Sequence, residues 1–122
     1  HHGMDFTAKT GTPIYATGDG KVIKASRASG FGKVVYIDHG FGYVTKYGHM
    51  SKFNTKKGKK VKRGDIIGYV GNTGLSSGPH LHYEVHKNDV AINPVNFYHG
   101  DLSPEEYEIM LEKASQENQS LD

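Results

Sequence analysis

From residue 21 to residue 85 the chain alternates short apolar runs with glycine-bearing turns. Lys21-Val22-Ile23-Lys24-Ala25 is closed by Ala28-Ser29-Gly30. Residues 33–37 and 43–47 flank Asp38-His39-Gly40-Phe41-Gly42, a pattern that predicts a hairpin. Ile66-Ile67-Gly68-Tyr69-Val70 is apolar on both faces and predicts a central strand. Leu81-His82-Tyr83-Glu84-Val85 alternates apolar with polar after a loop over residues 71–79. Runs recurring at roughly ten-residue spacing predict a mainly β domain, an antiparallel sheet or sandwich.

The pattern changes beyond residue 100. Ser103-Pro104-Glu105-Glu106 has the form of a capping box with proline at the first helical position. Tyr107, Met110, Leu111 and Ala114 follow as an apolar stripe at helical spacing. These signals predict a C-terminal α-helix over about residues 104–116 that docks on the sheet or on a neighbouring element. The chain therefore divides into a β domain over residues 1–100 and a C-terminal helix with acidic tail over residues 101–122.

Charge sharpens that division. Residues 1–100 carry 14 of the 15 Lys and Arg against 6 acids, whereas residues 101–122 carry one Lys and 7 acids. A basic body favours anionic partners. The run Lys56-Lys57-Gly58-Lys59-Lys60-Val61-Lys62-Arg63 has no interleaved aromatics to stack on bases. It reads as a solvated hairpin rather than a nucleic-acid surface. No stretch approaches the ~20 apolar residues of a membrane span. The chain has no cysteine, so thiolate zinc sites and thiol nucleophiles are excluded. There is no Gly-x-Ser-x-Gly elbow and no His-Glu-x-x-His.

The 8 histidines are the remaining source of chemistry. His80 and His82 lie two apart in a strand-like segment, which puts both on one face about 6.5–7 Å apart. One imidazole can then bind an ion while the other serves beside it; a solvated polar face is the competing reading. His1 and Asp5 are also an even number apart, and Asp and His are both competent zinc ligands. His49 closes the run at 43–47. His39 sits in a turn, where a local hydrogen bond suits it better than a metal. His86 shares the face of His82 further along the strand.

Taken in order, these segments resemble the lysostaphin/LytM-type peptidoglycan hydrolases. The likeness is carried by His1-His2-Gly3-Met4-Asp5-Phe6, Tyr47-Gly48-His49-Met50-Ser51, Val61-Lys62-Arg63-Gly64-Asp65-Ile66-Ile67-Gly68 and Gly78-Pro79-His80-Leu81-His82-Tyr83-Glu84. It implies a zinc-dependent endopeptidase that hydrolyses peptide cross-links of bacterial peptidoglycan by a metal-activated water. It also implies an antiparallel β fold with a groove across the sheet. Zn2+ would be held by His1, Asp5 and His82, with His49 and His80 as the two catalytic histidines. An open fourth position is what a catalytic zinc requires, and bound water there can ionise near pH 7. Stem or cross-bridge peptides would be the partners, an upstream domain is expected, and the location would be the periplasm or the extracellular envelope. The basic body favours direct cross-links between carboxylate-bearing stem peptides over glycine bridges.

Two other readings compete. The first is a catalytically silent module of the same fold that binds peptidoglycan or activates another hydrolase. The second is a biotinyl- or lipoyl-carrier-like domain, suggested by residues 61–68 alone. A carrier needs a lysine displayed on a hairpin tip, and that reading leaves the paired histidines unexplained.

Overall fold

The computed structural model describes residues 3–74 and 78–93, with Glu105, Glu108 and Ile109. Among these residues, nine strands form one sheet: β1 (Gly3–Thr7), β2 (Pro13–Tyr15), β3 (Gly20–Ala28), β4 (Gly32–Gly40), β5 (Tyr43–Phe53), β6 (Lys60–Val61), β7 (Ile66–Val70), β8 (His80–Lys87) and β9 (Val90–Ile92). The main path runs β1-β8-β5-β4-β3-β6; β7 joins β5 and carries β2, while β9 joins β8. Every pairing is antiparallel. The mainly antiparallel β fold read from the sequence is therefore the fold observed. The helix expected over about residues 104–116 lies outside the described residues, apart from Glu105, Glu108 and Ile109, which are too few to define an element.

Alternation explains the layering. In β8, Leu81, Tyr83 and Val85 are buried while His80, His82, Glu84 and His86 lie on the opposite, half-buried face. Phe6, Val22, Val35, Ile37, Tyr47 and Met50 join these residues in one apolar cluster, together with Ile14 of β2 and Ile67 and Val70 of β7. β2 and β7 thus close over the core face of the long strands, and the other face is left for a groove. The hydroxyls of Thr17, Thr45, Tyr47 and Tyr83 satisfy one another inside the core. Thr17 Oγ1 lies 2.9 Å from the Tyr47 hydroxyl and 3.0 Å from that of Tyr83, and Thr45 Oγ1 lies 2.7 Å from Tyr47. His39 donates from Nδ1 to the Asp19 carbonyl (2.7 Å), so its Nε2 accepts from Thr45 (2.6 Å). A hydrogen-bonding role was expected of it, but the partners lie 20 and 6 residues away rather than within its turn.

Two expectations need correction. His49 does not close a strand; β5 runs on to Phe53. Residues 43–48 pair with β8, residues 50–53 pair with β7, and His49 between them has φ 62°. A left-handed residue bends the strand, and that bend lets β5 change partners. The basic run is solvated, as read, but it is not a hairpin. β6 pairs instead with Gly20 and Lys21 of β3. Ile66–Val70 is central as expected, flanked by β2 and β5.

Candidate active site

Register brings the chemistry together. β1 and β8 pair with Asp5 opposite His82 and Thr7 opposite His80, while β5 places Gly48 opposite His82 on the other side. Directly opposed residues share a face. Asp5, His80 and His82 therefore meet on the groove face, and His49 reaches them from the bend in β5. His49 and His80 have ring centroids 4.7 Å apart, and His49 and His82 6.0 Å apart. Four of the five residues singled out from the sequence thus lie together. The fifth, His1, lies outside the described residues.

His82 lies between two carboxylates. Its Nδ1 is 2.8 Å from Asp5 Oδ1 and its Nε2 is 2.7 Å from Glu84 Oε2. The Glu84 hydrogen bond, then that of Asp5, hold the His82 pKa above the ordinary imidazole value. Glu84 is bound a second time, by His86 Nε2 at 2.7 Å on Oε1. The hydrogen bond from His82, and then that from His86, draw its pKa down to about 2. Glu84 is therefore a fixed anion with both oxygens engaged.

The other two imidazoles are oriented by carbonyls. His49 donates from Nδ1 to the Thr73 carbonyl at 2.6 Å, which leaves the Nε2 lone pair as its free acceptor. Burial pushes its pKa below the ordinary value, so the ring is neutral near pH 7. His80 donates from Nδ1 to the Gly78 carbonyl at 2.7 Å and sets Nε2 3.3 Å from Asp5 Oδ1. Thr73 is held in turn: its hydroxyl donates to the Met50 carbonyl (2.6 Å) and accepts from the Lys33 amide (3.1 Å).

Two glycines make room. A Cβ at Gly3 would lie 2.4 Å from His82 Cε1, and one at Gly48 would lie 2.9 Å from Phe31 Cδ1. The Phe31 ring stands 5.6 Å from that of His82 and packs beside it. Glu84, Thr73, Phe31 and Gly3 were not among the site residues expected from the sequence. Only Glu84 carried a signal, as the next residue on the face of His82. Thr73 acts on the site through its backbone, which no side-chain pattern announces. A separate recess of about 490 Å3, lined by Asp19, Lys21, Asp38 and His39 among others, does not include this cluster.

Among the described residues, no group of three or more His, Asp or Glu side chains makes a complete metal site. Asp5 and His82 nevertheless suit a zinc ion as two of its ligands. One offers oxygen and the other nitrogen, and the second ring nitrogen of His82 is tied to a carboxylate, the usual support of a ligating histidine.

Comparison with known proteins agrees with this architecture. Residues 1–94 match Peptidase family M23. The peptidoglycan DD-endopeptidase ShyA of Vibrio cholerae is 51% identical over 85 residues, which are 70% of this chain and 20% of that protein. The chain spans about a fifth to a quarter of the length of the curated relatives it matches. The catalytic domain of lysostaphin from Staphylococcus simulans superposes with a TM-score of 0.75 at 38% identity, over 80% of this chain and 77% of that one. A zinc-containing peptidase from Vibrio cholerae superposes with a TM-score of 0.73 at 43% identity, over 75% of this chain and 28% of that one. A match over residues 1–94 of 122, on an antiparallel sheet that gathers Asp5, His49, His80 and His82, places the chain in peptidase family M23.

Proposed function

We propose that the chain is the catalytic part of a zinc-dependent endopeptidase that hydrolyses peptide cross-links in bacterial peptidoglycan. The observation that carries this reading is the convergence of Asp5, His49, His80 and His82 from three strands onto one face of the sheet. Relatives named as peptidoglycan DD-endopeptidases support the substrate class and favour direct cross-links over glycine bridges. Such a substrate would place the protein in the periplasm or the extracellular envelope. Those relatives carry further chain beyond the matched segment, and the upstream domain expected from the resemblance is part of this proposal.

His1, Asp5 and His82 would hold the zinc. When bound, the metal supplies Lewis acidity, polarising the scissile carbonyl and acidifying the attacking water. The chain's own residues do the rest. Glu84 fixes the ring plane and proton position of His82. His49, neutral and with its free Nε2 facing the groove, takes the proton from the attacking water. His80, 4.7 Å away ring to ring, would in its doubly protonated form donate from Nε2 to the oxyanion or to the leaving amine. Phe31 excludes water from one side.

Bound zinc and release of soluble fragments from purified peptidoglycan, with and without chelator, test the proposal. About one zinc per chain and chelator-sensitive release are expected. His49→Ala and His80→Ala keep zinc and lose roughly 10²–10⁴-fold in turnover, the usual contribution of a positioned acid or base. His82→Ala loses zinc. Zinc without release from the unaltered protein would instead assign a silent binding module, and loss of zinc from His80→Ala would overturn the division of roles.

A further inference from the structure

One step along the groove face from the histidines, register aligns a second row of side chains across four strands. Lys24 of β3 is opposite Tyr36 of β4, Tyr36 is opposite Lys46 of β5, and Lys46 is opposite Glu84 of β8. Glu84 is the residue that also holds His82, so this row lies on the catalytic face. The Lys46 ammonium sits 4.5 Å from the Tyr36 ring centroid and that of Lys24 sits 5.5 Å from it. Two cations therefore converge on one aromatic ring, with all three residues half-buried.

Neither lysine has a carboxylate within ion-pair distance among the described residues. Glu84, the acid opposite Lys46, has both oxygens committed to His82 and His86. Two half-buried lysines that reach the same ring from β3 and from β5 make a local positive patch that attracts an incoming anion. Burial, and then the Glu84 charge, push the Tyr36 phenol up, so it remains a hydroxyl able to donate.

We infer that Lys24, Tyr36 and Lys46 form a carboxylate-binding subsite that recognises a free carboxylate of the peptide substrate, on a side chain or at a terminus. The inference rests on the peptidase reading above and assigns its specificity. Two residues along a strand and two strands across place Tyr36 about 12 Å from His82. A carboxylate some two to four residues from the scissile bond of an extended peptide reaches that distance.

The test uses synthetic cross-linked stem-peptide dimers with the carboxylates free, with only the terminal one amidated, or with only the side-chain one amidated. For the zinc-loaded protein, kcat/KM for the free dimer exceeds that for one amidated form by roughly tenfold or more, mainly through KM. Which amidation removes the preference identifies the carboxylate. In the Lys24→Gln/Lys46→Gln variant the ratio collapses towards one. Binding of the corresponding half-peptides, followed by NMR shifts of the Lys24 and Lys46 side chains, reads the subsite without turnover. No preference in the unaltered protein, or equal losses on free and amidated dimers in the variant, overturns the subsite. Carboxylate-dependent binding with zinc present but no cleavage of any dimer would retain the subsite and overturn the peptidase reading.

Discussion

A methyl group at position 3 has no space. It would lie 2.4 Å from His82 Cε1 and 2.6 Å from Nε2, well inside contact distance. The ring cannot swing aside freely, because each nitrogen is bound to a carboxylate. Gly3→Ala should therefore tilt His82 and weaken zinc binding by roughly 10–100-fold, the range found when a ligand's orienting contacts are lost. Overpacking adds about 1–3 kcal/mol of destabilisation. Gly48→Ala meets only the edge of the Phe31 ring and should leave zinc affinity near that of the parent. Zinc titration of both variants decides; equal affinities would mean that the crowding at Gly3 is relieved elsewhere. At this scale the sequence was legible where a residue acts through its own functional group. Asp5, His49, His80 and His82 advertise themselves as ligands or proton carriers, and they do meet. Gly3 acts by being small and Thr73 by lending a carbonyl, and neither property leaves a mark in residue type.

Strand β5 shows the same limit among elements. Its first half was readable from alternation, since Thr45 and Tyr47 face the core while Val44 and Lys46 do not. Its continuation beyond His49 was not, because alternation lapses where the strand bends. A left-handed backbone costs an ordinary side chain roughly 1–2 kcal/mol, whereas Asn adopts it more readily. His49→Asn should therefore be more stable than His49→Ala by about 1 kcal/mol, with both inactive. Urea denaturation of the two proteins checks this, and equal midpoints would show that the bend is not strained. The basic run illustrates the converse. Its exposure was evident from composition, but its pairing with β3 depends on long-range contact and has no local signature.

Across the whole molecule, the short-range pattern fixed the fold class and could not fix which strands touch. Asp5 and His82 are 77 residues apart in sequence and hydrogen-bonded in space, so half of the site exists only after the sheet has closed. A zinc ion held as proposed between β1 and β8 would join the two ends of that closure and stabilise the folded state by mass action. With free zinc at about 1,000 times its dissociation constant, the gain is about 4 kcal/mol. Chelator should lower the melting temperature of the parent protein and leave that of His82→Ala unchanged. A parent protein whose melting is indifferent to chelator would remove the metal from the account.

Strand β1 pairs only with β8 among the described strands, so Asp5, a proposed zinc ligand, rides on an edge ladder of the sheet. Without zinc, β1 would be held by its backbone ladder to β8 and by Phe6 in the core, and a strand so held can peel from the sheet. Detachment bares residues 80–84 of β8 as an unpaired strand edge, a template on which another chain can add. Metal starvation would then do more than silence the protein. It would leave it adhesive, and a colloidal failure would follow the chemical one.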